Sequence, residues 1–508
     1  MSKKPVALTG NDLTLNQLYQ IVYEGAETTI SPEAHERMEA SRAVVERLGA
    51  SDTAVYGVNT GFGALASVRI HPDQVGELQL NLVRSHACGV GAPLAEDETR
   101  AMLLLRANTL AKGFSGARPV VAETLLAMLA RGVLPVIPSQ GSVGASGDLA
   151  PLAHLAMVAI GEGEAFYKGA KMAGGEAMRQ AGIAPIQLEA KEGLSLLNGT
   201  QGMLALIALA VREAEILSNT ADVAAALSLD ALRGTPAAFD ERISRIRPYP
   251  GQTVTARNLT QLNRGSEIRE SHRSPEKDPR VQDAYSLRCT PQVHGAVRDS
   301  LSQVRTTLSI ELNSATDNPL VFAETGEVIS GGNFHGQPLA MAADQVAIAL
   351  ATLAGICERR IDHMTNPHTS QLPAFLTPDP GLNSGFMIAQ VTAAALASEM
   401  KALATPHSVD SIPTSGNQED YVSMGMSAAR RLRRMLDALC NVIAIELLAA
   451  AQGIDFHAPM QTGPEARKAY TLVRSVSALV EKDRALAPDI AAVAERIMRG
   501  EFQGILRE

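Results

Sequence analysis

The sequence of 508 residues contains no tryptophan, and aromatic residues make up only 4% of it. Basic residues are not in excess either, since the formal net charge is -9. Nucleic-acid-binding surfaces depend on clustered basic residues and often on stacking aromatics, so nucleic acid is not expected as a partner. Apolar residues (46%) and charged residues (19%) are close to ordinary globular usage. We therefore expect a compact fold with a sizeable core.

Cysteine is also scarce, and the four cysteines occur singly at positions 88, 289, 357 and 440. They have neither the paired spacing of a zinc site nor the density of a disulfide framework. No His-Glu-x-x-His pattern is present. The sequence also lacks an apolar N-terminal leader and any run of about 18 uninterrupted apolar residues. We predict a cytoplasmic protein that contains no metal and does not associate with a membrane.

The second part of the chain contains long segments rich in alanine and leucine with helical periodicity. Such lengths predict a helical bundle, and helices that are apolar nearly all round favour an oligomer whose subunits share that bundle. Burial of each bundle within its own chain is the alternative. We predict a mainly α fold with an N-terminal domain (1–200) and a long-helix bundle with C-terminal helices (201–508). The long segments are 201–233, 294–316, 337–362, 384–404 and 421–452.

The first 200 residues predict shorter helices separated by glycine-rich loops at 56–63 and 139–147. Asp148 is a candidate N-cap for a helix that runs through Leu155. The polar stretch 266–280 is predicted to be a solvated loop, and short hairpins are expected near 317–330. The shorter helices are predicted near 31–49, 75–88 and 96–112.

The most informative segment is Gly141-Ser-Val-Gly-Ala-Ser-Gly-Asp-Leu-Ala-Pro-Leu-Ala-His154. Its small residues Ala145, Ser146 and Gly147 allow the backbone to bend until the Gly147 nitrogen faces the Ala145 carbonyl carbon. Ring closure with loss of water, followed by loss of the Ser146 hydroxyl as a second water, would leave an electrophilic methylidene group. An isolated Ala-Ser-Gly is ordinarily only a turn before a helix, so the context decides between the two interpretations.

The whole segment resembles the signature of the aromatic amino acid ammonia-lyase and aminomutase family. In that family the tripeptide forms the cofactor 4-methylidene-imidazol-5-one (MIO) autocatalytically, without an external cofactor. The resemblance extends over nearly the entire chain and implies the mainly helical fold shared with fumarase and aspartase, a homotetramer with shared active sites, and an amino acid substrate. Its further motifs are Tyr56-Gly-Val-Asn-Thr-Gly-Phe-Gly63, Arg84-Ser-His-Ala-Cys-Gly89, Leu197-Asn-Gly-Thr200, Gln282-Asp-Ala-Tyr-Ser-Leu-Arg288, Gly332-Asn-Phe-His335 and Asn417-Gln-Glu-Asp420.

Within the family, Ser85-His86, Asn59 and Glu419 resemble the members that act on histidine. A carboxylate and a histidine side chain can hydrogen-bond the two nitrogens of an imidazole, whereas a hydrocarbon ring would leave both groups unpaired. Two positions depart from those members, Tyr421 at the last motif and Gln337 after His335-Gly336. The alternatives are a tyrosine or phenylalanine ammonia-lyase, an aminomutase with the same cofactor, and an inactive helical scaffold.

The resemblance also implies a role for each site residue in converting histidine to trans-urocanate and ammonia. Tyr285 is the candidate base and Tyr56 its partner near the substrate amine. Arg288 is expected to bind the substrate carboxylate through its planar guanidinium, and Phe334 to pack beside the cofactor. The remaining candidates bind the cofactor or the substrate through hydrogen bonds: Asn198 and Gln282 at the cofactor ring or the carboxylate, and His86 and Glu419 at the imidazole.

Overall fold

The computed structural model describes residues 5–49, 55, 57–61, 69–274, 276–278 and 280–506, and for Pro72 the backbone alone. Tyr56 lies outside the described residues, together with residues 62 and 63 of the same loop. The predicted role of Tyr56 therefore stays a prediction.

Helices dominate the described residues, which confirms the predicted mainly α fold. Each long segment predicted from the sequence contains a long helix, with ends displaced by a few residues. The helices are α1 (Leu15–Glu24), α2 (Pro32–Gly49), α3 (Val75–His86), α4 (Glu96–Ala111), α5 (Pro119–Arg131), α6 (Leu149–Ala159), α7 (Gly174–Gln180), α8 (Glu192–Leu197), α9 (Gln201–Ala231), α10 (Glu241–Ile246), α11 (Pro250–Asn263), α12 (Glu267–Ser271), α13 (Tyr285–Arg288), α14 (Thr290–Glu311), α15 (Gln337–Thr365), α16 (Pro367–Ser370), α17 (Met387–Leu403), α18 (Gly425–Asp455), α19 (Pro464–Arg474) and α20 (Ala487–Met498).

Among the described residues, the strands are short and form four small sheets. Strands β1 and β2 pair in parallel, β3 pairs with β5, β4-β6-β7 form an antiparallel sheet, and β8 and β9 form the hairpin predicted near 317–330. The other strands were not predicted, because two to four residues are too few to show alternation. The strands are β1 (Val6–Leu8), β2 (Thr28–Ile30), β3 (Val90–Pro93), β4 (Leu134–Pro135), β5 (Pro138–Gln140), β6 (Glu164–Tyr167), β7 (Ala170–Ala173), β8 (Leu320–Phe322) and β9 (Glu327–Ile329).

Two compact units make up the chain. Unit one contains residues 1–209, 305–344 and 406–430, and all the strands named above belong to it. Unit two contains residues 210–304, 345–405 and 431–508. The predicted division into residues 1–200 and 201–508 stays a prediction.

Unit one has a helical core at α4, where Thr99 and every residue from Ala101 to Ala111 are buried. Unit two is built around polar as well as apolar core residues. The buried Asp222 accepts hydrogen bonds from Asn258 (2.8 Å) and Arg298 (2.6 Å). Buried charges need such partners, because an unpaired charge in a core is costly.

Two helices, Gln337–Thr365 and Gly425–Asp455, are long and apolar enough to span a membrane by length and composition. The most apolar windows of these helices are 61% and 89% buried within the protein, respectively. Burial of this extent is typical of core helices, and the helical periodicity of the sequence had predicted both of them.

The prediction of a solvated loop over 266–280 is wrong in its first part. Ser266 accepts a hydrogen bond from the Arg269 amide (3.1 Å) and caps α12, whose Ile268 is fully buried. The four acidic and four basic residues of this stretch had indicated a solvated loop. One buried apolar side chain and the Ser266 cap nevertheless stabilise a short helix there.

Candidate active site

The predicted cofactor segment forms a tight bend that packs against the backbone after α8. Gly147 has a φ of +73° and pairs with Gly199, and the Asp148 amide donates a 2.7 Å hydrogen bond to the Gly199 carbonyl. A Cβ at residue 147 would overlap that carbonyl. The bend therefore requires glycine both for its backbone angle and for this close approach.

Asp148 lies at the predicted N-cap position of α6, but its side chain does not cap that helix. Its carboxylate instead accepts hydrogen bonds from the Met203 amide (2.7 Å), in the first turn of α9, and from the Ser142 hydroxyl (3.1 Å). Complete burial raises the pKa of Asp148 to about 6, although these hydrogen bonds oppose the shift. The carboxylate thus fastens the bend to the start of α9.

Asn198 contacts the central residue of the bend. Its Nδ2 donates a 3.2 Å hydrogen bond to the Ser146 carbonyl. Its Oδ1 is buried and has no hydrogen-bond partner among the described residues. A buried amide oxygen of this kind can accept a further hydrogen bond.

Glu419 lies on the other side of Ser146. One carboxylate oxygen accepts a 3.2 Å hydrogen bond from the Ser146 hydroxyl, and the other accepts a 2.8 Å hydrogen bond from Thr414. Because α18 begins only at Gly425, Glu419 is not in its first turn. Glu419 therefore lies before that helix and contacts the bend directly.

His86, at the end of α3, interacts electrostatically with Glu419. Its Nδ1 lies 2.8 Å from the Leu82 carbonyl, which requires a proton on Nδ1 and leaves the lone pair on Nε2. Burial lowers the pKa of His86, while the Leu82 carbonyl and the Glu419 charge oppose that shift. A neutral His86 therefore offers a hydrogen-bond acceptor near the Glu419 carboxylate.

A cleft of ≈ 560 Å³ lies beside these residues and is wide enough for an amino acid. The predicted residues Ala145, Ser146, Phe334 and Glu419 line it. Of the residues that were not predicted, His335 stacks on Tyr421 with ring centroids 6.2 Å apart. The lining also includes Asn318, Ser330, Gly331, Gly332, His335, Gln418, Asp420 and Tyr421.

Three predicted residues, Gln282, Tyr285 and Arg288, belong to unit two, whereas the residues that line this cleft belong to unit one. Gln282 is exposed, and Tyr285 opens α13 with 70% of its surface exposed. The Arg288 guanidinium lies over the Tyr285 ring at 4.5 Å from its centroid, and its Nε donates to the Asp283 carbonyl (2.9 Å). The predicted base and the predicted carboxylate-binding residue are thus adjacent.

Among the described residues, no group of three or more histidine, cysteine, aspartate or glutamate side chains is arranged to hold a metal ion.

Comparison with known proteins identifies the family. The sequence model described as aromatic amino acid lyase matches residues 13–475 of this chain. The chain belongs to the aromatic amino acid lyase family. It is 56% identical to the histidine ammonia-lyase of Koribacter versatilis over 99% of this chain and 100% of the relative.

Solved structures of aromatic amino acid lyases and aminomutases have the same fold. The histidine ammonia-lyase of Trypanosoma cruzi superimposes with a TM-score of 0.91 at 45% identity, covering 99% of this chain and 94% of that structure. The tyrosine aminomutase of Streptomyces globisporus gives a TM-score of 0.94 at 41% identity, with coverages of 99% and 98%.

Several residues around the site of this aromatic amino acid lyase were not found by sequence reasoning. Thr414 is a hydroxyl donor in a loop and carries no sequence signal of its own, whereas Ser142 lies within the predicted cofactor segment. His335 and Tyr421 lie within or next to motifs that the sequence had singled out. Position in a motif was therefore a usable signal, whereas hydrogen bonding between distant loops was not.

Proposed function

We propose that this chain is a histidine ammonia-lyase, a carbon–nitrogen lyase that converts L-histidine to trans-urocanate and ammonia by non-oxidative elimination. This reaction is the first step of histidine degradation. The observation that carries the proposal is the 56% identity to a histidine ammonia-lyase over essentially the full length of both chains. His86 and Glu419, two polar groups that interact electrostatically and are suited to an imidazole ring, support the same substrate.

The residues at the bend fit an MIO group formed from Ala145, Ser146 and Gly147, with no external cofactor. Gly147 is held where a Cβ cannot be accommodated, and the buried Asn198 Oδ1 has an unused hydrogen-bonding position. When formed, the group supplies an electrophile to which the substrate amine adds. The chain's other residues then have to hold the substrate and move one proton.

Residues of unit one would orient the ring and the cofactor. The Glu419 carboxylate and the neutral His86 Nε2 both accept hydrogen bonds, so together they suit a protonated imidazole ring, which has two N–H groups. Asn198 Nδ2 stabilises negative charge on the Ser146 carbonyl oxygen. Phe334, on the cleft wall, would pack beside the cofactor.

Residues of other segments would complete the chemistry. Tyr285 removes the β-proton, with Tyr56 acting near the amine, and Arg288 binds the substrate carboxylate as a charged donor. Gln282 donates to the carboxylate or the cofactor ring. Tyr285 and the neighbouring Val281 are 70% and 98% exposed in one chain, which supports a contact of both residues with another protomer.

We also propose that the enzyme is a cytoplasmic homotetramer with shared active sites. Helix α17 supports this assembly because it buries a narrow stripe of Ala389, Ala393, Ala397 and Met400 within its own unit. Its Ile388 (64% exposed) and Val391 (51%) remain uncovered in one chain. Exposed apolar side chains on one helix are typical of a subunit interface.

Incubation of the purified protein with histidine, tyrosine and phenylalanine in turn tests the function. We expect urocanate and ammonia from histidine, with far slower conversion of the other two. Coumarate, cinnamate or a β-amino acid as the main product would establish the alternative lyase or aminomutase activity. No product from any substrate, together with an unaltered peptide at 145–147, would indicate an inactive scaffold.

A further inference from the structure

Arg106, in the middle of α4, is completely buried and binds the C-terminal end of α8. Its Nη1 donates to the Asn198 carbonyl (2.8 Å) and to Gln201 Oε1 (2.7 Å), and its Nη2 donates to the Ser195 carbonyl. The last carbonyls of a helix lack partners within the helix and carry partial negative charge. The guanidinium satisfies two of them at once and fixes where α8 ends.

The two residues that follow this fixed end are those that contact the bend. The Asn198 side-chain Nδ2 donates to the Ser146 carbonyl, and the Gly199 carbonyl accepts from the backbone amide of Asp148. None of the hydrogen bonds of Arg106 given above involves the bend. Any effect of Arg106 on Ser146 must therefore pass through Asn198 and Gly199.

Stability alone does not account for a guanidinium at this place. Burial lowers the pKa of Arg106 to about 10, which shows that the charged form is disfavoured there. Its Nε has no partner among the described residues, and the nearby Asp317 already pairs with the buried Lys191 (2.8 Å). An apolar side chain of similar volume would often stabilise a core equally well. It could not, however, hold two carbonyls and an amide oxygen in fixed positions.

We propose that Arg106 is a positioning residue for formation of the MIO group: it aligns Asn198 and Gly199 against Ser146. In this reaction the Gly147 nitrogen bonds to the Ala145 carbonyl carbon. The Ala145 oxygen leaves as water with the amide protons of Gly147 and Ser146, and the Ser146 hydroxyl leaves with its Cα proton as a second water. The Asn198 hydrogen bond stabilises negative charge on the Ser146 carbonyl as that Cα proton departs.

This inference rests on the proposed function, and Arg106→Lys tests it. Lysine keeps the charge but lacks the planar array of donors, so we expect cyclisation to slow by roughly tenfold, the effect of losing one hydrogen bond to a charged group. Mass spectrometry of the 145–147 peptide, at set times after expression is induced, measures the fraction lighter by two waters. Arg360→Lys is the matched control, because Arg360 is equally buried and binds Glu446 within unit two.

The result expected is slow cyclisation in folded Arg106→Lys and a wild-type rate in Arg360→Lys. Equal rates in the wild type and Arg106→Lys would overturn the inference, as would equal slowing in both variants. If Arg106→Lys does not fold, Gln201→Met decides: it removes one of the two acceptors of Arg106 Nη1, together with the Gln201 hydrogen bonds to Thr109 and Thr316. Slow cyclisation is expected in this variant, and a wild-type rate would overturn the inference. An unaltered peptide in the wild type would contradict the proposed function instead.

Discussion

The Ser146 hydroxyl donates a 3.2 Å hydrogen bond to Glu419, a residue 273 positions further along the chain. The same serine accepts a hydrogen bond at its carbonyl from Asn198. Glu419, in one loop, and Asn198, at the end of α8, thus both contact Ser146 in the bend, although the three residues are far apart in the sequence. The two contacts lie at different atoms of Ser146, so Glu419 can be substituted without removing the Asn198 contact.

Glu419→Gln should keep the fold and impair turnover of histidine. Glutamine can still accept from Ser146, but it cannot place a negative charge beside the substrate ring. We expect kcat/KM for histidine to fall by about 10- to 100-fold, as for loss of a charge-assisted hydrogen bond of roughly 1.5–3 kcal/mol. Steady-state assays of urocanate formation measure this, and circular dichroism checks the fold.

A cyclised Glu419→Gln protein with wild-type kcat/KM would contradict the proposed role in substrate binding. Thr414→Val provides a graded comparison, since it removes only the hydroxyl that donates to the other Glu419 oxygen. We expect kcat/KM of Thr414→Val for histidine to lie between the values of the wild type and of Glu419→Gln.

Gly147→Ala should prevent the bend from docking. Alanine is strained at a φ of +73°, and its Cβ would overlap the Gly199 carbonyl. We expect soluble, folded protein whose 145–147 peptide retains the mass of the unmodified sequence and whose turnover is at least 1000-fold lower, on the order of 4 kcal/mol in activation free energy. Peptide mass and urocanate assays report on the two effects.

The control is Gly504→Ala, because a Cβ at that glycine meets no atom within 4 Å. It should cyclise and turn over as the wild type does. Loss of two waters from Gly147→Ala at the normal rate would show that the close approach to Gly199 is not required.

The sequence predicted the elements of this site better than their contacts. The apolar periodicity of the sequence predicts the long helices, and the family motifs contain Ser146, Asn198 and Glu419. The side chain of Asp148 was misjudged because a local pattern indicates an N-cap, whereas its actual partner, the Met203 amide, begins another helix. Contacts between residues far apart in the chain have no local signal.

The subunit interface proposed at α17 predicts a dependence of assembly on Ile388. Ile388→Asp would place a carboxylate among apolar side chains that are exposed in one chain and covered in the tetramer, where an unpaired charge costs several kcal/mol. We expect the native mass to fall from that of a tetramer to that of a smaller species, as measured by light scattering. Lys482→Asp, at an exposed polar position, should leave the native mass unchanged.

Asp148 predicts how stability depends on pH. Its folded pKa of about 6 is raised above the ordinary 3.8, so the folded state holds the proton more tightly than the unfolded state. The associated stability is present below pH 3.8 and is lost as the pH rises through 6, a change on the order of 3 kcal/mol. Asp148→Asn cannot ionise, and its amide oxygen can still accept from the Met203 amide. The variant should therefore gain stability relative to its parent as the pH rises from 4 to 7.

Thermal unfolding of Ser146→Ala with and without Asp148→Asn measures this difference, because neither protein can cyclise. Other titrating groups are common to both proteins and cancel from the comparison. A difference in unfolding midpoint that is constant across this range would mean that Asp148 ionises as readily when folded as when unfolded. In that case the hydrogen bonds from Met203 and Ser142 would fully offset the cost of burying the Asp148 charge.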